Sequence, residues 1–106
     1  MADPTGPPAA QRLAPLLLDP TRLRIAATLV GTGEVEFGFV RDRVGLTDSA
    51  LSKQVRTLAE ADLVGLRRER TGPARRAWLR LTPRGRRVLA DHTRALREIA
   101  DAVEPD

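Results

Sequence analysis

Cysteine is absent from the chain, histidine and lysine occur once each, and only Phe37, Phe39 and Trp78 are aromatic. The missing cysteine excludes disulfides, thiolate metal sites, thiol redox sensing and cysteine nucleophiles. His92 alone cannot assemble a multi-histidine metal site. No apolar run approaches the ~18 residues that a membrane helix needs. The acidic, proline-rich opening "MADPTGPP" lacks the pattern of a signal peptide. Nucleophile–base pairs, phosphate-binding glycine loops and metal ligand sets are also missing, so no enzymatic activity, metal or cofactor is expected. The expected molecule is soluble and cytoplasmic, with no membrane partner.

What is present fits one domain. A chain of 106 residues buries roughly 65% of the surface it exposes when unfolded. With so few aromatics, its core must be built from Leu, Val, Ile and Ala. A small aliphatic core is often supplemented by a partner subunit.

Charge is distributed unevenly. Residues 1–52 carry five Arg against six acids, a net −1, and residues 88–106 carry two Arg against five, a net −3. Between them, residues 53–87 carry Lys53 and ten Arg against Glu60, Asp62 and Glu69, a net +8. Concentration of positive charge in one third of the chain is the electrostatic footprint of a polyanion ligand. Seventeen arginines against one lysine also suit a GC-rich codon bias, so placement counts for more than number.

Periodicity orders the chain. Residues 1–8 hold three prolines and no apolar pattern, as a flexible tail would. A short helix is expected over Ala9–Leu18, with Pro15 weakening its first half. "DPTRLRIAATLVG" is a stronger helix: Asp19 caps, Pro20 fits the first turn, Leu23, Ile25, Ala26, Leu29 and Val30 form a stripe, and Gly31 closes it. "EVEF" suits a small edge strand and "FGFVRDRVG" a two-turn helix ending at Gly45. Thr47 then caps a helix whose Leu51, Val55 and Leu58 recur at spacings of four and three. Ser49, Lys53, Arg56, Thr57 and Glu60 fall opposite that stripe, with Ser52 at its flank.

After Asp62 the period becomes two. "LVGLRRER" and "RRAWLRL" flank "TGPA", so a β-hairpin is expected, with Val64, Leu66, Ala77, Leu79 and Leu81 facing inward. Trp78, between inward positions, should face the other side, against the Arg side chains or a neighbouring element. Thr82-Pro83 starts a long helix that ends near Val103. Along it Leu89, His92, Leu96, Ile99 and Val103 step by 3, 4, 3 and 4, a heptad seam. The expected class is therefore mostly α with a small β-hairpin. Two helices joined by "GLT" make a helix-turn-helix, and the hairpin stands where a wing would.

"LDPTRLRIAATL", "GLTDSALSKQVRTLAEADLV" and "WLRLTPRGRRVL", in that order and spacing, resemble the winged helix-turn-helix transcriptional regulators of bacteria and archaea. The small MarR- and ArsR-like members are the nearest in kind, over about residues 13 to 98. The resemblance implies a three-helix core plus wing over 9–82 and a long dimerisation helix over 83–106. It implies a homodimer that binds palindromic operator DNA, with helix 47–60 in the major groove and wing 67–76 on the backbone or minor groove. Asp62 stands where the family often has glycine, and Asp tolerates the left-handed backbone a helix exit needs. The cysteine and histidine ligand sets of metal and redox sensors in these families have no counterpart here.

Thr47, Ser49, Ser52, Lys53 and Arg56 are the expected DNA contacts of the helix, since Arg and Lys reach guanine O6 and N7 and hydroxyls reach several edges. Arg67, Arg68, Arg70, Thr71, Gly72, Arg75 and Arg76 are the expected wing contacts. Neutralising about four to six phosphates per subunit would lower log K against log salt by about 0.9 each. The plain alternative for either set is a solvated polar surface. Arg84, Arg86 and Arg87 suit further phosphate contacts or a helix start on the far side equally. Leu89, His92, Leu96, Ile99 and Val103 are the expected dimer contacts, joined by the 9–18 segment; a helix folded back on its own domain is the alternative. His92 reads as a packing residue or a pH-responsive contact. The expected function is a DNA-binding regulator, a repressor, acting on the nucleoid. The alternative is a winged-helix module for RNA or protein without sequence readout. An unidentified small-molecule effector, if the chain answers to one, would sit between the dimer helices and the DNA-binding core.

Overall fold

The computed structural model describes residues 6–72 and 74–103. Most of the tail expected over 1–8 lies outside them, as do the last three residues. In place of the single helix expected over Ala9–Leu18, two 3-10 turns span Ala9–Arg12 and Pro15–Leu18. Pro15 explains the break, because its ring forces the preceding residue out of the helical region; Leu13 and Ala14 are extended, at ψ 142° and 114°.

Helix α1 (Pro20–Thr28) starts as its sequence dictates, with the Asp19 carboxylate accepting from the Arg22 N–H at 2.9 Å and Pro20 in the first turn. It ends earlier than expected. Leu29 caps it and is buried, but Val30 lies past the last turn and is 55% exposed, so it leaves the stripe assigned to it. Strand β1 (Val35–Glu36) is short and at the sheet edge, as its sequence suggests.

Helix α2 (Phe37–Val44) stops at Gly45, whose φ of 72° is left-handed and open to glycine at little cost. Helix α3 (Asp48–Glu60) begins where the Thr47 hydroxyl accepts from the Ala50 N–H at 3.1 Å. Leu51, Val55 and Leu58 are buried. Truncating any one should cost about 2–5 kcal/mol, which makes this stripe the anchor that holds the opposite face toward solvent. The chain leaves α3 through Asp62 at φ 60°, the left-handed conformation its sequence tolerates.

Strands β2 (Val64–Thr71) and β3 (Ala74–Leu81) form the hairpin, and the sheet order is β1-β3-β2, antiparallel throughout. Val64 stands opposite Leu81, Leu66 opposite Leu79, and Arg70 opposite Arg75. Val64, Leu79 and Leu81 are core residues. Leu66 shares their face but is 38% exposed, because β2 is already leaving the core at that point.

Helix α4 (Pro83–Val103) begins at a tight joint. The Thr82 hydroxyl accepts from the Gly85 N–H at 2.8 Å and donates to the Asp62 carbonyl, while the Thr82 N–H donates to the Leu63 carbonyl at 3.1 Å. Leu89 belongs to the same buried cluster as Ile25 and Leu81, so the early turns of α4 are part of the domain core.

Candidate nucleic-acid interface

On α3, Ser49, Ser52, Lys53 and Arg56 are all exposed, and each projects from a helix fixed by its buried stripe. Thr47 has its hydroxyl occupied as the cap. Thr57 is half-buried, with its hydroxyl on the Lys53 carbonyl, so it belongs less to the outer face than its spacing implied.

Two arginines outside the basic third set the position of α3. Arg22 donates to the Leu16 carbonyl at 2.7 Å and to Gln54 of α3 at 3.2 Å. Arg41 of α2 pairs with Asp42 at 2.9 Å and with Asp48, in the first turn of α3, at 2.8 Å. These hydrogen bonds hold Asp42 below the usual carboxylate range and raise Arg41 further above its own. Periodicity could not reveal either link, since both join elements brought together only by folding.

The wing is two-sided. Strand alternation puts Arg68, Arg70, Arg75 and Ala77 on the face shared with Leu66, and Arg67, Glu69, Arg76, Trp78 and Arg80 on the other. A groove of about 500 Å³ runs between α3 and the first of these faces, lined by Ser52, Val55, Arg56, Glu60, Leu66 and Arg68 among others. Among the described residues no ion pair involves Arg56, Arg68, Arg70 or Arg75. Arg70 and Arg75 stand directly across the ladder, a like-charge pair that destabilises the hairpin unless an anion joins it. Thr71 and Gly72 lie at the hairpin tip.

Acidic partners gather on the other face. Arg67 pairs with Glu34 at 2.8 Å and with Glu69 at 3.4 Å, and its guanidinium lies 5.7 Å from the centre of the Trp78 ring. Trp78 faces this side, as expected, with its indole N–H on Glu69 at 3.0 Å. Glu34 was not singled out in the sequence because it lies in the turn before β1, far along the chain from the wing.

Farther off, Arg84 and Arg86 donate to the Ala61 and Leu81 carbonyls, both at 3.3 Å, so their side chains brace the joint beneath α4. The seam of α4 divides at His92. Leu89 is 6% exposed and His92 1%, both covered within the chain itself, which removes them from any surface offered to a second copy. His92 Nδ1 accepts from the Ala14 N–H at 2.9 Å, and Nε2 has no hydrogen-bond partner among the described residues. Burial holds this imidazole below its ordinary range, an effect the Leu17 backbone opposes. Arg12 pairs with Glu98, so the N-terminal segment lies along α4 of its own chain. Leu96 and Ile99 remain half-buried, and Val103 is 76% exposed. A second cavity, about 480 Å³ and almost wholly apolar, lies between α1 and α4 against Leu23, Ala27, Val30, Leu81 and Leu89. No helix among the described residues is long and apolar enough to cross a membrane.

The profile of the winged helix DNA-binding domain family matches residues 21–100. No curated protein matches the chain. Among solved structures, a transcriptional regulator homologue from Pyrococcus horikoshii OT3 is 21% identical, with a TM-score of 0.79, over 85% of this chain and 89% of that one. RV1404 from Mycobacterium tuberculosis is 27% identical, with a TM-score of 0.70, over 92% and 68%. The PcaV transcriptional regulator from Streptomyces coelicolor, solved with its natural ligand, is 24% identical, with a TM-score of 0.67, over 88% and 64%. MarR-family regulators are among the neighbours in fold.

Proposed function

Because the chain belongs to the family of winged helix DNA-binding domains, we propose that it is a transcriptional regulator, a repressor, that binds an inverted-repeat operator as a homodimer. One observation carries the reading: Arg68 meets the exposed Ser52 and Arg56 of α3 across a shared groove, on a wing face where Arg68, Arg70 and Arg75 have no ion pair among the described residues. Phosphates would neutralise the wing, and α3 would lie in the major groove. In this assignment Ser49, Ser52, Lys53 and Arg56 read base edges. Arg68, Arg70 and Arg75 hold the backbone and supply most of the salt dependence.

Dimerisation falls to α4 beyond His92, where Leu96, Ile99 and Val103 have apolar surface left to cover. The DNA-binding unit expected over 9–82 then takes in the early turns of α4 as well, and the dimerisation element expected over 83–106 narrows to α4 beyond His92, acting on DNA in the cytoplasm. The PcaV neighbour was solved with its natural ligand, and in this chain the apolar cavity between α1 and α4 is the place where a small-molecule effector would fit. Bound there, it would shift the spacing of the two α3 helices and so the population of DNA-competent dimers.

Selection of bound duplexes from a random pool tests the whole reading. The expected product is an inverted repeat with half-sites about 34 Å apart, preferred over random duplex by about 10³ or more. A pool that yields no palindrome sinks the regulator reading and favours an RNA or protein partner.

A further inference from the structure

Arg67 belongs to a linked set of side chains. Its Nε donates to Glu34 Oε2 at 2.8 Å and its Nη2 to Glu34 Oε1 at 3.0 Å, a two-pronged fork. Its Nη1 reaches Glu69 at 3.4 Å, Trp78 donates to Glu69 at 3.0 Å, and the guanidinium packs on the Trp78 ring. Four side chains are thus linked across the turn before β1, strand β2 and strand β3. Two-pronged Arg–carboxylate pairs fix orientation as well as distance, which a single ion pair does not.

The placement matters more than the strength. β1 contributes only Val35 and Glu36, paired with Leu79 and Trp78, so its backbone grips the hairpin weakly. Arg67 and Trp78 face each other partway between the core end at Val64–Leu81 and the tip at Thr71–Ala74. Past that level, no ion pair among the described residues joins the hairpin to the body. The Arg67 fork is therefore, among the described residues, the outermost ion pair between the wing and the body.

We propose that Glu34 and Arg67 are positioning residues for DNA binding. They form a tether that sets the angle at which the Arg68–Arg75 face meets the duplex, and Arg67 itself is not a phosphate ligand. The inference rests on the DNA-binding reading above. It differs from the expectation, drawn from the arginine cluster alone, that Arg67 contacts DNA.

The test uses the full chain, Glu34→Gln, Arg67→Gln and the charge swap Glu34→Arg with Arg67→Glu. Trp78 is the sole tryptophan, so its emission reports the tether in the free protein. Either single substitution should shift that emission and weaken the selected duplex about fivefold, with the slope of log K against log salt unchanged. The swap should restore affinity to within about twofold. The proposal is overturned if Arg67→Gln flattens the slope by about 0.9 per subunit. It is equally overturned if Glu34→Gln tightens binding and steepens the slope, or if the swap binds as weakly as Arg67→Gln. Should the wild type select no duplex, the DNA reading fails by itself. An emission unmoved by Glu34→Gln removes the tether whatever the ligand.

Discussion

The two faces of the hairpin are built from the same few residues and behave oppositely. Arg68, Arg70 and Arg75 share the face that Leu66 turns toward α3 and have no ion pair among the described residues, whereas Arg67 shares the reverse face with Glu34, Glu69 and Trp78. Arg75 and Arg76 are chain neighbours on opposite sides, and Arg76 stands directly across from Glu69. Net charge along the chain therefore overstates what a ligand meets. Alternation sorts the arginines, and acids from elsewhere in the fold decide which remain unneutralised.

The largest effect should come from the joint that supports both faces. A methyl group at Gly85 would lie 2.0 Å from the Leu63 carbonyl oxygen and 2.9 Å from its carbon. Both are backbone atoms just before β2, so neither can swing aside as a side-chain tip would. Gly85→Ala should cost more than about 3 kcal/mol, read as a fall in the urea or thermal midpoint, and duplex binding should fall with it. A variant within about 1 kcal/mol of the wild type would mean that α4 is not seated against Leu63 in this way.

A smaller effect separates the faces themselves. Arg75→Gln should weaken every duplex alike and flatten the salt slope by about 0.9 per subunit, roughly 1.8 for a dimer on its operator. Arg76→Gln, beside Glu69, should change the slope by less than half as much. Equal changes for the two would erase the distinction and return the wing to an undivided basic patch.

Much of this was legible in the residues. Thr47, Asp19 and Thr82 cap because a short hydroxyl or carboxylate before an apolar period satisfies free helix N–H groups, and each does so. Leu51, Val55 and Leu58 are buried because their spacing allows no other common face. The hairpin, its turn and the outward Trp78 follow from a period of two. What could not be read were long-range partners. Nothing in the local pattern links Glu34 to Arg67 or Arg41 to Asp48. Heptad spacing cannot tell a seam offered to a second copy from one already covered, and here the domain core covers Leu89 while the segment at Ala14 holds His92 from within. The arginine count was similarly blind to face.

The smallest expected effect belongs to the balanced face and is a matter of pH. The Arg67 hydrogen bond, opposed by desolvation and assisted by the charges of Arg67 and Arg80, holds the Glu34 carboxyl below its ordinary range. A carboxyl so depressed supports the tether above its unfolded pKa and loses that support as pH falls through the folded value. Trp78 emission should therefore stay flat from pH 8 to about 5 and move only below about pH 4, with far-UV circular dichroism marking where acid unfolding begins. Glu34→Gln should make that step smaller. His92 acts in another window: its imidazole is also depressed, so the cost of charging it starts as pH drops below about 6.5 and appears in the melting midpoint. Emission that moved between pH 5 and 7 would place Trp78 under the control of the imidazole, and the acid-balanced face would no longer be held by Glu34.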